Sequence, residues 1–307
     1  MQLKSPSKIN LRLKVTGRRT DGYHLLSMLN CLTDFSDTIR ISVTSDTKIT
    51  VNVKWLVSHQ PQGLVDLNNS ETNLAARAAR LFFNHFALPF GAKIEIEKRI
   101  PLGGGLGGGS GNAAVVLNYL ARVFATQINL SNTSLNQLAA EIGSDVPFML
   151  AGGLGYVTGV GEKVHSVSQH PLCHEPIWLL LPQIGIETAA LFAELRKQDA
   201  QEFSHDSQLA DFAAAMSSLQ LQRHDLLALI DNDLLSKVVS ISPQMALLHQ
   251  ELKSIPSVVA SMSGSGSTFF VLCQEPVRQA GELNQLTSML TQRFAPQGVA
   301  VIQAFIL

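Results

Sequence analysis

The chain has 307 residues, 46% of them hydrophobic, 15% charged, with a formal net charge of −1 at pH 7. That is length enough for one or two domains with a large core, and no Lys/Arg run marks a nucleic-acid footprint. Cys31, Cys173 and Cys273 are odd in number and far apart, which argues against a disulfide framework and fits a reducing cytosol. The opening MQLKSPSKIN has no apolar signal core, and the long uncharged stretch 100–121 is too glycine-dense for a membrane span.

In chain order, residues 7–15 alternate, with Ile9, Leu11, Leu13 and Val15 on one face and Lys8, Asn10, Arg12 and Lys14 on the other, which predicts a strand. Residues 37–45 and 48–56 read as two more strands. Residues 70–86 form an amphipathic helix with Ser70 or Thr72 as its cap. Ile94, Ile96 and Ile100 alternate with Glu95, Glu97 and Arg99 as the next strand. After a glycine run, Ala113, Ala114, Val116, Leu117, Leu120, Ala121 and Phe124 fall at helical spacing. A short helix over 134–142 stops at Gly143; 156–159 and 177–182 are strand-like, 188–197 is helical and 196–208 reads as a polar surface loop. Helical pattern resumes at 226–239 and 243–252. Residues 257–273 read as strand, glycine–serine loop and strand, and 299–307 as a final strand. Strands and helices mix without a regular βαβ beat, which points to an α+β fold in two halves.

The run IPLGGGLGGGSGNAA, from Ile100, raises the sharpest question. Glycine carries the largest backbone entropy cost on folding. A glycine loop between a strand and a helix N-terminus offsets that cost when bare N–H groups and the helix dipole bind an anion, most simply phosphate. A Walker A loop is excluded, because no G-K-[ST] ends the run. Gly103, Gly105 and Gly108 satisfy G-x-G-x-x-G, but the acidic residue a dinucleotide fold wants about 20 positions on is missing; after Glu97 the next is Glu141. The H-R-D and D-F-G signatures of protein kinases are absent. A plain flexible linker would not be bracketed by well-patterned elements.

Other residues have plainer readings. Asp145, between Gly143 and Pro147, suits a helix N-cap. His170, Cys173, His174 and Glu175 are metal-ligand types, but Pro171 breaks helical spacing and no second cluster completes a site, so they read as a surface turn. His224–Leu226 reads as a helix start.

PLGGGLGGGSGNAA, together with SKINL near the start and MSGSGSTFF near the end, resembles the three-motif pattern of the GHMP small-molecule kinases. TGRRTDGYH at 16–24, ETNLAARAARLF at 71–82, GSDVPFML at 143–150, GVGE at 159–162 and NDL at 232–234 resemble a branch of that family acting on a cytidine-diphosphate sugar alcohol. The likeness is dense over the first 162 residues and returns at 261–270. It implies an α+β, two-domain GHMP kinase fold. Residues 1–157 would form an ATP-binding domain like domain 2 of ribosomal protein S5, and 158–307 a ferredoxin-like domain, with the substrate between them. It implies ATP with Mg²⁺ as cofactors, and phosphorylation of a substrate hydroxyl in isoprenoid precursor synthesis. No Mg²⁺ ligand is assigned, and no nucleic acid, membrane or obligate protein partner is implied.

The same resemblance assigns roles. Asp145 would accept the hydroxyl proton, with Lys8 beside it to keep the carboxylate ionised and steady the developing alkoxide. Pro101, Leu102, Gly103, Gly104, Gly105, Leu106, Gly107, Gly108, Gly109, Ser110 and Gly111 would hold the ATP phosphates. Asn73, Leu74 and Lys98 would line the adenine pocket. Asn10, Tyr23, His24, Thr188 and Phe192 would bind the substrate, with Tyr23, His24 and Phe192 around the cytosine.

Overall fold

A computed structural model describes residues 2–56, 66–128, 132–168, 170–186, 191, 222–277 and 279–307. The predicted helix over 188–197 lies, but for residue 191, outside them, as does most of the loop over 196–208. The chain packs into two units, and neither is one continuous stretch. The first comprises Met1–Ser7, Phe35–Leu102 and Gly107–Gly152; the second comprises Lys8–Asp34, Gly103–Leu106 and Gly153–Leu307. The sequence reading instead cuts the chain once, at 157/158.

Strand β1 (Gln2–Arg18) and strand β2 (His24–Thr44) contribute residues to both units. In the first unit, β4 (Gly91–Lys98) runs antiparallel to the far half of β2, with Ile41 opposite Ile94, and parallel to β3 (Ile49–Trp55). Helices α1 (Leu74–His85), α2 (Gly108–Val123), α3 (Asn132–Ile142) and α4 (Val146–Ala151) complete this unit. The apolar stripe of α1 is largely alanine: Ala75, Ala76, Ala78 and Ala79 are fully buried beside Phe82 and Phe83. Small residues let α1 approach α2 closely. The phenylalanines close the core against Phe124, whose ring meets that of Phe83 edge-on at 5.9 Å. Each buried phenylalanine contributes about 1.5–3 kcal/mol of transfer free energy.

In the second unit, the near half of β2 pairs antiparallel with β5 (Leu154–Gly159), which pairs with β6 (Lys163–Val167). A separate antiparallel sheet has the order β11 (Val299–Phe305), β7 (Pro176–Pro182), β10 (Phe269–Cys273), β9 (Val258–Met262). Its middle strand β7 buries Ile177, Trp178, Leu179 and Leu180 in succession. Helices α7 (Pro243–Lys253) and α8 (Ala280–Phe294) pack here; Trp178 Nε1 donates to Thr287 Oγ1 of α8 at 2.8 Å.

Three readings need correction. The strand predicted from residue 37 begins at His24, thirteen residues earlier by the strand's own bounds. Residues 27–33 are all buried, and a strand covered on both faces shows no polar alternation. Helix α8 was not foreseen, because of its residues only Leu290 and Phe294 are fully buried, too thin a stripe to show periodicity. The single helix predicted over 226–239 is two. Helix α5 (Arg223–Ala228) ends, a two-residue strand β8 (Asp231–Asn232) pairs parallel with β1, and helix α6 (Asp233–Ile241) starts afresh. The start of α5 agrees with the helix start expected at 224–226.

Candidate active site

The glycine loop begins where β4 ends. In it Gly103, Gly105 and Gly107 have φ of +66°, +74° and +67°, and the residues between them do not. Alternating handedness of this kind turns successive N–H groups toward one side and makes an anion-binding concavity. Gly107 is the N-cap of α2 and has no side chain with which to cap it, and no acidic residue sits in the first turn. The leading N–H groups of a 16-residue helix are thus left to an external acceptor. The chain's own donor set here fits the phosphates of a nucleotide.

Under that helix start, Lys98 and Asp37 form an ion pair of which both members are almost wholly buried. A Cβ on Gly108 would lie 2.8 Å from Lys98 Nζ. Asp37 Oδ1 also accepts the N–H groups of Arg99 (2.7 Å) and Ile100 (2.8 Å), so it braces the strand end from which Pro101 and Leu102 lead into the loop. Burial pushes the Lys98 pKa down, against the pull of Asp37. Asn73, not Ser70 or Thr72, caps α1: its Oδ1 accepts from Ala75 N at 2.9 Å, and its Nδ2 donates to Leu67 O at 2.9 Å. Leu74 Cδ1 lies 3.4 Å from where a Cβ on Gly109 would stand. Asn73, Leu74 and Lys98 thus gather about the start of α2, with the polar groups of Asn73 and Lys98 engaged by the protein itself.

In the second unit, the loop crest 103–106 lies against the glycine–serine loop between β9 and β10. Ser263 Oγ donates to Gly105 O at 2.9 Å, Thr268 N donates to Gly104 O at 3.3 Å, and Lys8 N donates to Leu106 O at 2.9 Å. Asn10 N donates to the same Ser263 Oγ at 3.3 Å. Lys8 is 4% and Asn10 1% exposed, so the polar face of this strand is covered here as well as the apolar one. Lys8 Nζ donates to Asn10 Oδ1 at 2.6 Å, and Asn10 Nδ2 to Asn30 Oδ1 at 2.7 Å. An amide carbonyl facing an ammonium, itself aligned by a second amide, holds the Lys8 side chain in one orientation.

Asp145, in the first unit, stands at the N-cap position of α4, half-buried with αR backbone, and its carboxylate caps nothing. The turn joining β1 to β2, closed by Arg19 N donating to Tyr23 O at 2.7 Å, leaves Tyr23 63% exposed and buries His24. Thr188 and Phe192 lie outside the described residues. In the 170–175 turn, Glu175 pairs with Arg223 at 3.2 Å. Among the described residues, no group of three or more His, Cys, Asp or Glu side chains gathers as a metal site, and no helix is long and apolar enough to cross a membrane. Sequence reasoning missed Asp37, Asn30 and Ser263 as site residues. Ser263 was open to view in MSGSGS; Asp37 and Asn30 have no local signal, because their partners lie far along the chain.

The GHMP kinases N terminal domain matches residues 73–153 and the GHMP kinases C terminal domain residues 191–292. The 4-diphosphocytidyl-2-C-methyl-D-erythritol kinase of Bacillus velezensis is 35% identical over 295 residues, covering 95% of this chain and 94% of its own. That of Shouchella clausii is 33% identical over 298 residues, covering 95% and 92%. A crystal structure of 4-(cytidine 5'-diphospho)-2C-methyl-D-erythritol kinase superposes with a TM-score of 0.72 at 26% identity, over 100% of this chain and 99% of its own. Homoserine kinase from Cytophaga hutchinsonii reaches 0.73 at 14% identity, over 99% and 93%, a likeness of fold alone. With an uncapped, glycine-led helix where the N-terminal family domain matches and 33–35% identity to its relatives over 95% of its length, the chain belongs to the GHMP kinases, in the 4-diphosphocytidyl-2-C-methyl-D-erythritol kinase family.

Proposed function

We propose that this chain transfers a phosphoryl group from ATP to the 2-hydroxyl of 4-diphosphocytidyl-2-C-methyl-D-erythritol, in the non-mevalonate route to isoprenoid precursors. The observation that carries the reading is the glycine loop, with its alternating left-handed glycines and uncapped helix start; the relatives' activity supplies the acceptor.

ATP is the phosphoryl donor, and Mg²⁺ bound with it would offset the charge on its phosphates. The chain's own residues do the rest. N–H groups of residues 103–111 bind and orient the phosphates, and the Ser110 hydroxyl adds a polar group to that cradle. Asp145, whose carboxylate is not used as a cap, accepts the hydroxyl proton. Lys8, oriented by Asn10, supplies positive charge to the developing alkoxide. The exposed Tyr23 ring offers a face on which cytosine stacks, His24 offers hydrogen bonds to its edge, and Thr188 and Phe192 complete the substrate contacts.

The test is ADP release from ATP and Mg²⁺ with the cytidine substrate, homoserine or mevalonate offered separately. Turnover is expected on the cytidine substrate alone. Asp145→Asn should keep ATP affinity and lower turnover by about 10²–10⁴-fold, the usual share of a positioned base. Turnover on homoserine or mevalonate instead would overturn the acceptor, and undiminished turnover in Asp145→Asn would remove that residue from the chemistry.

A further inference from the structure

One buried side chain links both halves of the second unit's machinery without belonging to any part of it described above. Asn232 is 4% exposed, and its amide makes three hydrogen bonds to the backbone of two segments. Its Oδ1 accepts from Leu234 N at 2.9 Å and caps α6. Its Nδ2 donates to Met262 O at 2.7 Å and to Gly264 O at 2.9 Å. Those two carbonyls flank Ser263, whose hydroxyl donates to Gly105 O and accepts from Asn10 N. The fit on the far side is close: a Cβ on Gly264 would stand 3.3 Å from both Asn10 Oδ1 and Gly105 Cα.

The position of Asn232 is itself set from both sides. It pairs with Leu13 of β1 in the β8 register, and its neighbours Asp231 and Asp233 both take Lys14 Nζ, at 2.5 and 2.7 Å. Asp233 also accepts Val15 N at 2.9 Å. The interruption of the helix at 231–232 thus delivers one amide to the backbone on either side of Ser263.

We propose that Asn232 is a positioning residue for the kinase reaction: by clamping the carbonyls of Met262 and Gly264 it fixes the Ser263 hydroxyl, and through it the crest of the phosphate loop at Gly105. Only an amide does both jobs, since capping α6 needs an acceptor and the clamp needs two donors on one nitrogen. The inference rests on the kinase reading of the glycine loop.

The two jobs separate in Asn232→Ser. A serine still caps α6, but its shorter single hydroxyl cannot serve both carbonyls. Losing two hydrogen bonds of ordinary net strength should raise KM for ATP about ten-fold, with KM for the cytidine acceptor unchanged. Ser263→Ala should give the same ATP-selective rise, and the double variant should be no worse than the more affected single one, because both act through one contact. Ser242→Ala is the control: it removes the cap of α7 on Met245 N, so it should lower Tm and leave both KM values alone. If Asn232→Ser does not fold, Ser263→Ala decides the question. A lower kcat with both KM values at wild type in Asn232→Ser, or wild-type kinetics in Ser263→Ala, would reduce Asn232 to a structural residue and overturn the proposal. Calorimetry of the wild type with a non-hydrolysable ATP analogue keeps the two failures apart. Binding by the wild type alongside unaffected variants refutes only this inference, whereas no binding at all takes the kinase reading with it.

Discussion

A carboxylate that serves two backbone N–H groups and an ammonium has little capacity left for a ligand, and Asp37 is in that position. Its partner Lys98 matches an adenine-pocket position by resemblance, yet is 2% exposed with its ammonium on Asp37. Removing one member of such a pair strands the other charge in the interior, so Asp37→Ala should cost about 3–5 kcal/mol, read from the urea midpoint. A cost under a tenth of that would mean water reaches Lys98. Asp145 is the contrasting case. It occupies a cap position without acting as a cap, so Asp145→Asn removes no helix cap, and the base role proposed for it is read from turnover. The GSDVPFML motif singles out Asp145 in the sequence, whereas Asp37 carries no local signal and only its distant partners show that it braces the strand end.

At the scale of elements, the glycine loop is shaped by packing as well as by the phosphate binding proposed for it. A Cβ on Gly105 would come 2.0 Å from Ser263 O, where φ is already +74°. The sequence explains a bare Gly105 by close approach to phosphate; the structure shows that a neighbouring loop of the protein demands it as well. Gly105→Ala should therefore weaken ATP binding and also lower Tm, whereas an alanine that harmed affinity alone would show that the two loops part at no cost. The strand–loop–helix order about 103–111 was legible because alternation and helical spacing flank it. The break at Asp231–Asn232 was not. Its apolar residues continue a helical spacing from α5 into α6, and what interrupts the helix is pairing with β1, more than two hundred positions upstream.

At the scale of the whole molecule, two half-buried histidines make stability depend on pH on the acid side. His170 has no hydrogen-bond partner for either ring nitrogen among the described residues. Burial, and secondarily the charge of His174, hold its pKa down to about 4, from 6.5. Burial, with Lys253, lowers that of His249 too. Between these values the unfolded chain binds protons that the folded chain refuses, so the histidines' contribution to stability is full above about pH 6.5 and is lost as pH drops toward 4. His170→Gln should flatten the dependence of Tm on pH in that window, and an unchanged slope would place the acid sensitivity elsewhere.

The sequence by itself determined the α+β class, the family and the strand–glycine loop–helix order at 91–123. Each of these is written in spacing over a few residues or in a motif read in one piece. The tertiary structure alone decided that β2 starts at His24, that Lys8 and Asn10 are buried together, that Lys98 pairs with Asp37, and that Asn232 bonds the carbonyls of Met262 and Gly264. These depend on which distant segments meet, and a hydrogen bond between residues 10 and 263 or an ion pair between 37 and 98 leaves no periodic trace along the chain. Local pattern follows from backbone geometry and from which face is wet. The partner of a buried polar group follows only from the packed core that removes the water around it.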